Sequence, residues 1–208
     1  MKVTIVGAGN MGRAIGTRAV AGGHEVEIVA NDPSHAQKLA SELGGSATAL
    51  EAGAPFGGEV VVFAVYYPGI KDAVRQYADQ LAGKVVVDIT NPVNFETFDS
   101  LVVPADGSAT AAIAAALPQS RVVKAFNTTF AATLASGKVG DLSTTVLIAG
   151  DDAEAKSLVA EVVTAGGLRA IDAGSSRRAR ELEALGFLQI TLAAAEKVAW
   201  TGGFAVAS

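Results

Sequence analysis

Short apolar runs bounded by glycine and polar turns recur along the chain: Val3–Val6, Val26–Ala30, Val60–Val65, Val85–Ile89, Val122–Phe126, Val146–Ala149 and Leu168–Ile171. They are rich in valine and isoleucine and do not alternate with polar residues. A strand with one wet face would alternate, so these runs predict strands covered on both faces of a mostly parallel sheet. Between them, Met11–Ala21, Ser34–Leu43, Ile70–Leu81, Ala109–Leu117 and Ala153–Thr164 have helical character. The alanine-rich stretch Ala109–Ala116 reads as a helix because Ser108 can cap it and Pro118 stops it. Strand–helix alternation of this kind predicts a doubly wound α/β sheet of the Rossmann type.

The pattern changes after Asp172-Ala173-Gly174. From Arg178 to Trp200 the chain reads as one helix, with Leu182, Leu185, Leu188, Gln189, Leu192 and Ala195 forming a stripe. The expected organisation is therefore a dinucleotide-binding domain over residues 1–174 and a short C-terminal helical extension over 175–208. The extension is expected to pack on the cofactor cleft or to form the interface of a homodimer.

Composition narrows the chemistry. The 208 residues are 50% hydrophobic and 18% charged, the profile of a globular protein. Net charge is −5 with no basic stripe, which argues against nucleic acid as a partner. The chain has no cysteine, so disulfides, thiolate catalysis and zinc–thiolate sites are excluded. His24 and His35 flank the second predicted strand without metal-ligand spacing, and structural or exposed roles are expected for both. No apolar run approaches the ~18 residues needed to cross a bilayer, and the N-terminus lacks the features of a signal peptide. A cytoplasmic protein with no membrane partner is the expectation.

Gly7-Ala8-Gly9-Asn10-Met11-Gly12 follows a strand and opens a helix. In that context Gly7 permits the sharp turn, Gly9 the close approach of a pyrophosphate, and Gly12 the packing of helix on strand. The helix N-terminus adds free N–H groups and the positive end of a dipole. The tip of the second strand should distinguish NAD from NADP, and its cues conflict. Ala30 leaves room for a 2′-phosphate and Asn31 can donate to one, whereas Asp32 repels it and no arginine stands beside it.

Further motifs accompany the glycine turn: Val6–Gly12 (VGAGNMG), Asp88–Pro92 (DITNP), Val122–Asn127 (VVKAFN) and Asp172–Gly174 (DAG), followed by Arg180 and Glu183. In this order the chain resembles the coenzyme F420-dependent NADP reductase family. The same core is similar to the nucleotide-binding domain of the six-transmembrane epithelial antigen ferric reductases. The resemblance implies hydride transfer between NADP(H) and a deazaflavin (F420) or flavin, with NAD(H) as the other nucleotide. Both partners are hydride carriers, so no catalytic acid, base or metal is implied. Proximity and orientation can supply roughly 7–11 kcal/mol of barrier lowering. It also implies cofactor contacts from Gly7, Gly9, Asn10, Met11 and Gly12 at the pyrophosphate, and from Asn31 and Asp32 at the ribose phosphate. Val65, Tyr66 and Tyr67 are implied on the nicotinamide side, with Asn91, Pro92, Asn127 and Thr128 lining the pocket shared with the acceptor.

Other readings stand beside these. Lys124, inside a predicted strand, is expected in a structural ion pair rather than in catalysis. Arg177, Arg178 and Arg180 are expected on an exposed helix face, with recognition of an acidic tail on the second cofactor as the alternative. A nucleotide-binding module serving a separate redox partner is the second functional expectation. Reduction of a small carbonyl or imine is the third, with Tyr66, Tyr67 and Lys124 as its candidate proton donors.

Overall fold

In the computed structural model, which describes residues 1–207, eight strands form one sheet in the order β10-β9-β6-β5-β4-β1-β2-β3. The strands are β1 (Lys2–Val6), β2 (Glu25–Val29), β3 (Ala47–Ala49), β4 (Val60–Phe63), β5 (Val85–Asp88), β6 (Arg121–Lys124), β9 (Thr145–Ala149) and β10 (Arg169–Gly174). A small hairpin of β7 (Lys138–Val139) and β8 (Leu142–Ser143) stands apart. From β3 across to β6 every pairing is parallel. β9 then joins β6 in the antiparallel sense through the single pair Lys124↔Ala149, with β10 parallel to it.

The buried strands sort their side chains to two cores. Val3, Ile5, Val60 and Val62 face α1 (Asn10–Ala21), α2 (Pro33–Leu43) and α6 (Ala153–Ala165). Val6, Val61 and Phe63 face α3 (Tyr67–Tyr77) and α4 (Ala109–Ala116). Because both faces are covered, residues pointing to either face are mostly apolar, with Thr4, Glu27, Asp88 and Lys124 as buried exceptions, and this is why the sequence shows continuous runs. On the first face α1 is tied down by Arg18, which donates to the carbonyls of Leu134, Ala135 and Gly166 near the ends of α5 (Ala131–Ser136) and α6. A cation over the last carbonyls of two helices also complements their dipoles.

Several boundaries differ from the sequence expectation. β4 ends at Phe63 rather than Val65, and α3 starts at Tyr67 rather than Ile70, with a proline in its first turn. β6 ends at Lys124; Phe126, expected in the strand, adopts a left-handed φ of 64°. The strands β3, β7 and β8 and the six-residue α5 are too short to show a periodicity. The final helix, α7, runs from Ala179 to Ala194 and not to Trp200. Its end is a Schellman motif: Glu196 takes φ 58°, Glu196 N–H donates to Ala193 and Lys197 N–H to Leu192. Glycine usually marks such an end, and a glutamate there hides it.

His24 is buried, with Nδ1 3.3 Å from the N-terminal amine. Burial first, and then the neighbouring ammonium, hold its pKa below the usual histidine range. No helix among the described residues is long and apolar enough to cross a membrane.

Candidate nucleotide-binding site

β1 ends directly in the glycine turn, and the N–H of Gly7 donates to the carbonyl of Val29 on β2 at 2.8 Å. Gly7 has φ 118°, and a Cβ built on it would lie 2.3 Å from the backbone oxygen of Ala64. A Cβ on Gly12 would lie 2.1 Å from the oxygen of Gly7. Gly9 differs: a Cβ there would meet nothing within 4 Å. The protein's own packing thus requires Gly7 and Gly12 but gives no reason for Gly9. Gly9 is the N-cap of α1, which has no side-chain cap and no acidic residue in its first turn. With Asn10 exposed and Met11 partly so, the helix end is open as an anion receptor. These residues fit a pyrophosphate.

At the tip of β2, Asn31 and Asp32 are both exposed. Asp32 is the N-cap of α2, and its Oδ1 accepts from Ser34 N at 2.9 Å and Ser34 Oγ at 2.7 Å. That commitment holds its carboxyl below the usual aspartate range, the Ser34 hydroxyl contributing most. Because the folded value is depressed, the cap stabilises the fold above the ordinary carboxylate range and is lost as pH falls through the lowered value. The conflict at this tip is therefore eased: the carboxylate turns onto its own helix and leaves Asn31 as the free polar side chain.

At the tip of β4, Val65 is partly exposed and Tyr66, the N-cap of α3, is 82% exposed. Tyr67 is placed elsewhere, in the groove of about 420 Å³ that α3 and α4 enclose with Ile70, Val74 and Ile113. Burial, then the carboxylates of Glu183 and Asp88, raise its pKa above the ordinary phenol range.

The tips of β5 and β6 are stapled together. Asn91 Nδ2 donates to the carbonyl of Asn127 at 2.9 Å, and Asn127 Nδ2 donates to Asn91 Oδ1 at 2.9 Å and Leu182 O at 2.8 Å. The left-handed Phe126 and the bond from Asn127 N–H to Ala125 O form a tight γ-turn that aims this side chain. α7 comes close because Gly186 faces the staple; a Cβ there would be 2.4 Å from Asn91 Oδ1. Pro92 and Thr128 are buried beside it, and the carbonyl of Thr128 accepts from Gln189 Nε2 at 3.3 Å. Asn91 and Asn127 are thus brought together as a rigid wall at the tips of β5 and β6.

Beneath that wall lies an ionic network. Lys124 Nζ donates to Asp88 Oδ2 at 2.8 Å, Glu183 Oε1 at 2.9 Å and Thr90 O at 2.6 Å, and all three charged side chains are fully buried. Asp88 Oδ1 also accepts from Thr90 N and Oγ1, and Glu183 accepts from the N–H groups of Ala109 and Thr110 at the start of α4. Lys124 is in the expected structural ion pair, and its ammonium is saturated. Of the expected stripe on α7, Leu182 and Gln189 are buried; Glu183, Gly186 and Ala193 complete the inward face, and Leu188 is exposed. Glu183 and Gln189 work in that face through hydrogen bonds, a signal that apolar periodicity cannot carry. Arg178 pairs with Glu181 at 3.2 Å on the surface.

Residues 2–92 match the family model for coenzyme F420-dependent NADP oxidoreductase. The chain belongs to this family. It is 32% identical over 149 residues to the F420-dependent NADP reductase of Methanocaldococcus jannaschii, covering 70% of this chain and 66% of that one. It is 35% identical over 184 residues to metalloreductase STEAP3 of Rattus norvegicus, covering 88% of this chain but only 36% of the relative's length. A crystal structure of an Arthrobacter sp. FB24 protein, provisionally named an F420-dependent NADP-reductase, superposes over 100% of both chains with TM-score 0.85 at 29% identity. The family members are NADP(H)-binding oxidoreductases built on this Rossmann-like fold, and the glycine turn described above lies within the matched segment.

Proposed function

We infer that the chain transfers hydride between NADP(H) and a deazaflavin or flavin acceptor. The observation that carries this reading is the open space over Gly9, a glycine that the fold does not need, at the uncapped start of α1. Bound NADPH would supply a hydride from its nicotinamide ring, and the acceptor would take that hydride together with one proton from solvent. Gly9, Asn10 and Met11 would hold the pyrophosphate, and Asn31 the ribose phosphate. The Asn91–Asn127 wall would border the nicotinamide end: both Nδ2 groups are engaged within the fold, while Asn127 Oδ1 is buried without a partner. Reduction of a small carbonyl would have to rely on the exposed Tyr66 as proton donor, since Lys124 is buried and saturated and Tyr67 lies in the α3–α4 groove. The test follows NADPH absorbance with oxidised F420, FMN or FAD. Turnover with one of them supports the reading, and none with any of the three rejects it.

A second reading is a nucleotide-binding module that supplies a separate redox partner. The likeness to STEAP3, of which this chain spans about a third, favours it. It forecasts tight NADPH binding without turnover of any free acceptor.

The Asp32 geometry gives a further prediction. Asp32→Asn keeps a capping oxygen for α2 but removes a negative charge from the tip where a 2′-phosphate would sit. NADPH affinity should rise a few-fold at low salt, NADH affinity should stay unchanged, and the gain should shrink as salt is added. Calorimetric titrations with both nucleotides check it, and an equal effect on the two would reject this placement.

A further inference from the structure

The exposed aromatic side chains among the described residues are Tyr66, Phe95, Phe98, Trp200 and Phe204. They are not scattered. Tyr66 stands at the tip of β4, and Phe95 and Phe98 pack edge to face on the segment that follows the β5 tip. Trp200 and Phe204 lie on the C-terminal tail, which is fixed to the loop after β6. Gln189 makes that attachment: its Nε2 donates to Thr128 O, and its Oε1 accepts the N–H of Phe204 at 2.8 Å. Gly203, at φ 128°, allows the approach, since a Cβ there would be 2.8 Å from Gln189 Oε1. Trp200 itself rests on Phe130, with ring centroids 4.9 Å apart, yet is 53% exposed. The β2 end of the same sheet edge instead carries the exposed polar residues Asn31, Asp32, Ser34 and His35.

The geometry points to Trp200 as a stacking platform for the ring system of the hydride acceptor, held in place by Phe130 and by the Gln189 clip on the tail. An indole supported on one side by a buried ring and free on another is preorganised for a planar partner, and so loses little conformational entropy on binding it. Its position fits that partner, because the tail is anchored at the β6 tip, on the side of the cleft away from the adenosine end. The β4, β5 and β6 tips present aromatic surface, which suits a large flat heterocycle better than a small polar substrate. This assignment rests on the acceptor reading given above.

Trp200 is the only tryptophan in the chain, so its emission reports on this one place. FMN and oxidised F420 are titrated into the NADP⁺-saturated protein while tryptophan emission is followed, and steady-state NADPH oxidation is measured for wild type, Trp200→Ala, Trp200→Phe and Gln189→Leu. The expected result is saturable quenching, and an acceptor KM raised about tenfold in Trp200→Ala, the worth of one lost aromatic face. Trp200→Phe should recover most of that loss, Gln189→Leu should raise the acceptor KM, and the NADPH Kd should stay within twofold throughout. Turnover with an unchanged acceptor KM in Trp200→Ala overturns the platform while leaving the hydride-transfer reading intact. NADPH binding with neither turnover nor quenching overturns both. Loss of a dimer in Trp200→Ala by sedimentation, with acceptor KM unchanged, assigns the indole to an interface between copies and also overturns the platform.

Discussion

Replacing Lys124 by methionine is expected to cost the fold about 3–5 kcal/mol, the usual penalty for removing one partner from a buried ion pair. At roughly 2–4 °C per kcal/mol for a chain of this size, the midpoint of thermal unfolding should fall by about 6–20 °C. The ammonium is the only cation among the charged side chains of the network, which contains two carboxylates, and all three are fully buried. Methionine fills a similar volume, so the loss isolates charge rather than packing. Asp88 would keep its bonds from Thr90 and Thr110, and Glu183 those from the start of α4, but two anions would then face each other without a counter-charge. The double variant Lys124→Met with Glu183→Gln should therefore be more stable than Lys124→Met alone, because it removes one of the two anions. Urea denaturation of the three proteins tests that order of stability. If the single and double variants were equally stable, the network would not be the reason for the lysine.

This network also shows where the sequence stops being informative. That Lys124 stands inside a valine-rich strand is enough to expect an ion pair, since a lone ammonium in a sheet interior is untenable. Its partners lie 36 and 59 residues away, at the tip of β5 and on α7, and only the strand order brings them together. The seven apolar runs locate the long strands because both faces of the sheet are covered. They do not show that β9 reverses direction, since an apolar run reads the same either way. In the site, the glycine spacing is legible because Gly7 and Gly12 answer steric demands of the turn itself, while Gly9 leaves open space above it. Asn91 and Asn127 stand out in the sequence as polar residues at strand ends, but their mutual staple depends on Gly186, far along the chain and inconspicuous inside a helix. Tyr67 lies next to Tyr66 in sequence and faces another groove because α3 begins between them. Gln189 looks like an interruption of an apolar stripe and is a clip with both ends of its amide in use.

The contrast between Gly9 and Gly12 provides the second large effect, and it separates what the turn does for the fold from what it does for the nucleotide. Gly9→Ala should change the unfolding free energy by no more than about 1 kcal/mol, because alanine adopts its φ of −79° and restricts the unfolded chain but is a poorer N-cap than glycine. Its methyl group would project into the open space over the turn, where the pyrophosphate must approach closely. NADPH affinity should fall roughly a hundredfold, about 2.7 kcal/mol. Gly12→Ala should do the reverse in order of cause. Its methyl would lie 2.1 Å from a backbone oxygen, so the helix and the turn must separate before the chain can fold. The cost should reach or exceed the roughly 1–3 kcal/mol typical of overpacking, with nucleotide binding lost as a consequence. Thermal melts with and without NADPH distinguish the two, since a ligand that binds only the folded state raises the midpoint by an amount that grows with the logarithm of its concentration over Kd. Wild type should show a clear upward shift. Gly9→Ala should melt near the wild-type apo temperature and barely respond to the nucleotide, whereas Gly12→Ala should melt lower in both conditions. A Gly9→Ala protein that still shows the full NADPH shift would mean that the pyrophosphate does not pass over this turn, and the binding site would have to be sought elsewhere on the sheet edge.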